Sequence, residues 1–209
     1  MRALTRGVFC DPLTAMGTTM RLGKLAPALL ILIVSGMSSA QGWTEFIDLS
    51  ERFSINVPAE PTVEETTHMG ERGGTYPARV YTTEDGPNSY SVTVAHYVGA
   101  LPTVVKGSIA HAAWNVRKRG GTVTYDAFAQ VDRIGGHQLQ ITNADQSRTY
   151  VAIHMHKGRL YILEARVPPG SPPPVQFQQS LVILDEEGSR IRYAVDEFGN
   201  RTVRIAPED

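Results

Sequence analysis

The chain has 209 residues, with 20 Lys and Arg against 21 Asp and Glu, 42% hydrophobic residues and one cysteine. A balance so close to neutral, without a long basic run, argues against nucleic acid, whose binders gain affinity by releasing counterions from clustered Lys and Arg. With Cys10 the lone cysteine, no disulfide within the chain can staple the fold, and stability must come from a packed core.

The first 40 residues differ in composition from the rest. Arg21 and Lys24 precede an apolar run, Leu25 to Val34, broken only by Pro27. That run is too short to cross a bilayer, which takes about 20 residues of helix. Small residues follow, with Ser38 and Ala40 where a signal peptidase reads an A-x-A-like site. Residues 1–40 therefore read as a signal peptide cleaved before Gln41, which places the remainder in the periplasm or outside the cell. A retained N-terminal anchor is the alternative. Residues 1–19 fit no part of a signal peptide, and a start at Met16 or Met20 gives the basic region an ordinary length. A lipoprotein is disfavoured because no cysteine ends the apolar run, and no twin-arginine pair precedes it. Beyond Ala40 remain 16 basic and 20 acidic residues, a formal charge of −4. About 170 residues suffice to bury roughly 70% of the unfolded surface without disulfides.

Strand signals dominate from there. Phe53, Ile55 and Val57 share one face of a short strand ended by Pro58 and Pro61. Residues 76–83 and 89–98 read as a hairpin around Glu84 to Asn88. Between Ser108 and Arg119 the period changes, with Ile109, Ala112, Ala113 and Val116 at helical spacing. Ser108 is the expected N-cap and Gly120 and Gly121 the stop. The one basic cluster, Arg117 to Arg119, falls in the last turn, where cations oppose the negative end of the macrodipole.

Four more strands, 123–131, 138–143, 149–156 and 159–167, form an expected antiparallel meander, with Ile134, Gly135 and Gly136 as one turn. Lys157 and Gly158 fit a two-residue hairpin loop, which sets His154 opposite Tyr161 and Met155 opposite Leu160. Both faces of that sheet then carry apolar side chains, so both need a cover. A short helix from about Pro172 to Ser180, capped by Ser171, leads to a buried strand at 181–184. Residues 190–205 read as two arms of a hairpin around Phe198, Gly199 and Asn200. The division is thus a signal peptide at 1–40, a domain at 41–185 and a hairpin-like tail at 186–209.

The order of these pieces resembles the PsbP-like fold, including the DcrB-like proteins of bacterial envelopes. The residues that carry it are Trp43 and Phe46 ahead of Phe53 to Pro58, the Tyr90 to Tyr97 strand, the Ser108 helix, the Ile134 turn, Gly158 to Tyr161, and Phe177 to Leu181. The resemblance spans about residues 41–184. It implies an α/β architecture of α+β type, an antiparallel sheet with helices packed on both faces. It also implies a mostly non-enzymatic role, since known members are photosystem accessory subunits, a nuclear Ran-binding protein, envelope proteins and chaperones for secreted effectors. The family shares no catalytic residues, so none are carried onto this chain. The tail at 190–205 departs from the pattern.

Candidate chemistry is sparse. His154 and His156 lie two apart on a strand and share a face, as a pair of metal ligands would. The remaining ligands would have to come from His68, His96, His111, His137 or a carboxylate, none at recognisable spacing, so two partly exposed histidines at the end of a hairpin are the simpler expectation. Glu164 and Arg166 share a face, where a half-buried carboxylate offers a general acid or base and an ordinary ion pair is the simpler expectation. Trp114 falls off the apolar stripe of its helix, and either packs beneath a loop or anchors a partner. The glycine pairs at 73–74, 120–121 and 135–136 lack nucleotide-binding context and read as turns. The expectation is an exported, non-enzymatic envelope protein, without cofactor, catalytic residue or metal site, that binds a protein partner or an envelope component. A metal-binding protein or small hydrolase built on His154 and His156 is the alternative.

Overall fold

The computed structural model of the protein describes residues 42–97, 99 and 102–206. The signal-peptide reading of residues 1–40 lies outside the described residues. The strands are β1 (Thr44–Asp48), β2 (Phe53–Val57), β3 (Thr62–Met69), β4 (Thr75–Asp85), β5 (Asn88–His96), β6 (Thr122–Val131), β7 (Ile134–Thr142), β8 (Arg148–His156), β9 (Arg159–Val167), β10 (Val182–Ile183), β11 (Arg192–Val195) and β12 (Arg201–Ile205). The helices are α1 (Pro102–Lys118) and α2 (Val175–Gln178).

Seven strands form one antiparallel sheet in the order β3-β4-β5-β9-β8-β7-β6. The sequence register holds at its centre: His154 pairs with Tyr161 and Met155 with Leu160. Lys157 and Gly158, with φ of 43° and 80°, form the left-handed turn that such a two-residue loop requires. Strands β8 and β9 are buried along nearly their whole length, because both faces are covered.

The covers differ from the expectation. On one face α1 lays Ala112, Ala113 and Val116 against Leu139, Val151, Ile153 and Leu160. The other face is covered mainly by a second sheet, β1-β2-β10. Phe53 and Ile55 from β2 and Ile183 from β10 pack there on Val92, Val94, Tyr161 and Leu163, with Phe177 of the single-turn α2 beside them. The expected α/β fold with helices on both faces is therefore corrected to a mostly β fold, with one long helix on one side and a small sheet on the other. The physical reason is that a short sheet with an apolar inner face can bury the same surface as a helix. Each large side chain it buries contributes about 1.5–3 kcal/mol.

Local boundaries move too. Helix α1 begins at Pro102, six residues before the expected start, and Ser108 is a buried residue inside it rather than a cap. Val104 and Val105 pack on the core beneath α1, so tertiary contact overrides the weak propensity of that first segment. The turn between β6 and β7 is Asp132 and Arg133, both at positive φ (49° and 67°), while Ile134, Gly135 and Gly136 belong to β7. Helix α2 is shorter than expected, and its N-cap is Pro174 rather than Ser171. The tail forms the expected hairpin, β11 with β12.

Candidate ligand groove and the buried histidines

His154 and His156 do share a face of β8, the one turned towards the small sheet and the tail hairpin. Both are buried, contrary to the expectation of partial exposure. His154 Nδ1 and His156 Nε2 have no hydrogen-bond partner among the described residues. Burial pushes both imidazoles down to about 4; contacts with the backbone at Ile134 and Gly135 partly oppose this at His154, while Arg201, Lys157, Arg204 and Arg52 reinforce it at His156. Both are neutral at ordinary pH.

The other histidines are engaged elsewhere. His96 approaches Glu51, His137 approaches Asp126, and the rings of His68 and His111 lie beside Tyr97 and Trp114 respectively. Among the described residues no three His, Cys, Asp or Glu side chains gather as a metal site. Glu164 sits opposite Val151 as the register requires, but it pairs with Arg119 rather than Arg166. Arg166 reaches Asp145 at 2.6 Å. Trp114 is half-exposed, with Lys118 Nζ 3.8 Å from its ring centre, so it does not pack beneath a loop.

The feature that the sequence does not reveal is a groove between α1 and the β6–β7 hairpin, with a volume of about 850 Å³. That size falls within the ~300–1,000 Å³ usual for small-molecule sites. Ile109, Ala110 and Ala113 line it from α1, Phe128 and Ala129 from β6, and Met155 from β8. Phe128 pairs with His137 across the ladder, and their rings lie 5.5 Å apart. Because β6 is the sheet's edge, Phe128 stands 92% exposed. In the sequence its i±2 neighbours are Asp126 and Gln130, so the alternation sets Phe128 on the polar face of β6, the one local signal that marks it as an exposed aromatic.

The polar lining is basic. Lys106, Arg117, Arg133 and Arg201 border the groove, and among the described residues no carboxylate lines it. Arg117 is held by Asp126 through two bonds of 2.6 and 2.8 Å, with His137 Nε2 2.5 Å from the same carboxylate. The Arg117 guanidinium, with His137 assisting, draws the Asp126 carboxyl down to about 2 against a smaller effect of desolvation. Lys106, Arg133 and Arg201 have no ion-pair partner among the described residues. Among the described residues the lining offers apolar contact and positive charge, with no Ser, Thr or Cys.

No family model matches the chain, and no curated protein matches it. Among solved structures it is similar to the solution structure of cyanobacterial PsbP (CyanoP) from Synechocystis sp. PCC 6803, with a TM-score of 0.47 and 10% identity, over 71% of this chain and 95% of that one.

Proposed function

We propose that the protein is a non-enzymatic, exported binding protein of the cell envelope, and that the groove between α1 and the β6–β7 hairpin is where it holds an envelope component. The observation that carries the reading is the groove itself: a concave apolar surface with a few charged groups at its border, the usual form of a small-molecule site. The apolar run before Ser35 and the small residues up to Ala40 support export. A role in the envelope is also what the DcrB-like resemblance of the sequence implies.

The test is native mass spectrometry of the protein released from an envelope fraction without detergent, beside an Ala110→Trp variant. Ala110 is an exposed position of α1 that faces the groove, so the indole fills the space without entering the core. A bound mass on the natural protein and none on A110W is the expected result. A bare protein in both samples, or the same adduct on both, counts against the groove. A polypeptide recovered with residues 1–40 intact from the cytosol counts against export.

A further inference from the structure

We infer that the occupant of this groove is a single-chain amphiphile with an anionic head, its chain lying on the apolar wall and its head among Lys106, Arg133 and Arg201. The inference rests on the groove being a binding site. Ile109, Ala110, Phe128 and Met155 offer a hydrocarbon chain a wall that water solvates poorly. An exposed phenylalanine at the lip is the side chain that gains most from being covered.

Charge specifies the head. Lys106, Arg133 and Arg201 border the groove while Arg117 is already paired with Asp126, and no acid lines it among the described residues, on a chain whose total charge is −1 and whose portion beyond Ala40 carries −4. Elsewhere Arg52, Arg79, Arg159, Arg190 and Arg204 each lie against a carboxylate. Arg133 and Arg201, like Arg72, Arg148 and Arg192, have no carboxylate partner among the described residues, and of these five only Arg133 and Arg201 border the groove. The acid nearest Arg133 in sequence, Asp132, is turned into Arg190, with both bonds at 2.7 Å, and so does not neutralise it. Uncompensated cations beside a low-dielectric wall concentrate positive potential in the groove. A neutral amphiphile gains nothing from them, and a cationic one is repelled. A carboxylate or a phosphate monoester meets a guanidinium fork equally well, so the shared chemistry is an oxyanion on a single acyl or alkyl chain.

Calorimetric titration of the full chain with dodecanoate, dodecyl phosphate and dodecyl maltoside, each below its micellar concentration, tests this. Both anions are expected to bind about ten-fold more tightly than the maltoside, the scale of one charge-assisted hydrogen bond. Their order identifies which oxyanion the groove favours. In R133Q/R201Q the anions should fall to the affinity of the maltoside. K106Q, at an exposed helix position, should give a smaller loss in the same direction and serves if the double variant unfolds. Equal affinity for all three ligands, or an anion preference that survives both variants, overturns the anionic head and leaves the groove standing. Absence of any binding, or binding undiminished in A110W, overturns the groove as well.

Discussion

Arg79 donates from Nη1 to Oε1 of Glu51 at 3.1 Å, and Glu51 is only 2% exposed. This carboxylate, in the turn between β1 and β2, lies against Arg79, His96 and Arg159 of the large sheet. His96 Nε2 is 2.7 Å from Oε2, a close approach without hydrogen-bond alignment, and Arg159 Nε is 3.9 Å away. Tyr161 also donates to the Glu51 carbonyl at 3.0 Å. The cluster fastens the small sheet to the large one. Replacing Glu51 by Gln should cost about 1.5–3 kcal/mol, the scale of a hydrogen bond to a charged group lost by a buried acceptor. The exposed Glu65, which also reaches Arg79, should cost under about 0.5 kcal/mol as E65Q. Urea unfolding of the two variants checks the contrast, and equal losses would show that burial of Glu51 is not what matters.

Acid should loosen the fold through His154 and His156. Both have folded values of about 4, below the ordinary 6.5, because burial disfavours the charged ring. The unfolded chain therefore takes up protons first as pH falls. The associated stability is complete above about pH 6.5 and is lost between there and about pH 4. Denaturant midpoints at pH 7, 5.5 and 4.5 should fall in that order. In His156→Phe, which keeps an aromatic ring against Tyr193, the fall should be shallower. An identical pH profile in H156F would remove His156 from the account.

The parts of the fold that were legible in the sequence are those where burial imposes a pattern. The Lys157–Gly158 turn fixed the β8–β9 register, and the apolar stripe of Ala112, Ala113 and Val116 marked the face of α1. Strand β3 left no such mark: almost every residue from Thr62 to Met69 is exposed, so nothing selects an alternation. The covering sheet was missed for a related reason. Its third strand is only Val182 and Ile183, and the pairing of those residues with β2 spans more than 120 positions of chain. The groove depends on how far α1 covers the sheet edge near Phe128, a tertiary distance that no local pattern encodes.

Gly135 and Gly136 look alike in sequence and should behave differently. A Cβ on Gly136 would collide with the backbone oxygen of Ile153 and with Nδ1 of His154, whereas one on Gly135 meets nothing within 4 Å. The His154 ring needs the space that the missing side chain leaves, and the backbone atom cannot rotate away. Gly136→Ala should lower stability by about 1–3 kcal/mol, as overpacking does. G135A should stay within about 0.5 kcal/mol, as a substitution that meets no neighbour does. Thermal melts of the two proteins give the comparison, and a G136A as stable as G135A would contradict the contact.

Asp132 and Arg190 join the β6–β7 turn to the tail through two bonds of 2.7 Å. Asp132 and Arg133 both hold positive φ, a conformation costing an L-residue about 1–2 kcal/mol, so the pairing stabilises a turn that its own backbone opposes. Arg190→Ala leaves the Asp132 carboxylate, 11% exposed, without its partner. A loss of about 1–3 kcal/mol is expected, the cost of an unsatisfied buried acceptor. Adding Asp132→Gly removes the orphaned carboxylate and supplies a residue at ease with positive φ. The double variant D132G/R190A should therefore be more stable than R190A alone, even though it carries one more substitution. Urea midpoints measured side by side decide the matter. If the second change deepens the loss, the turn draws its stability from something other than this pair.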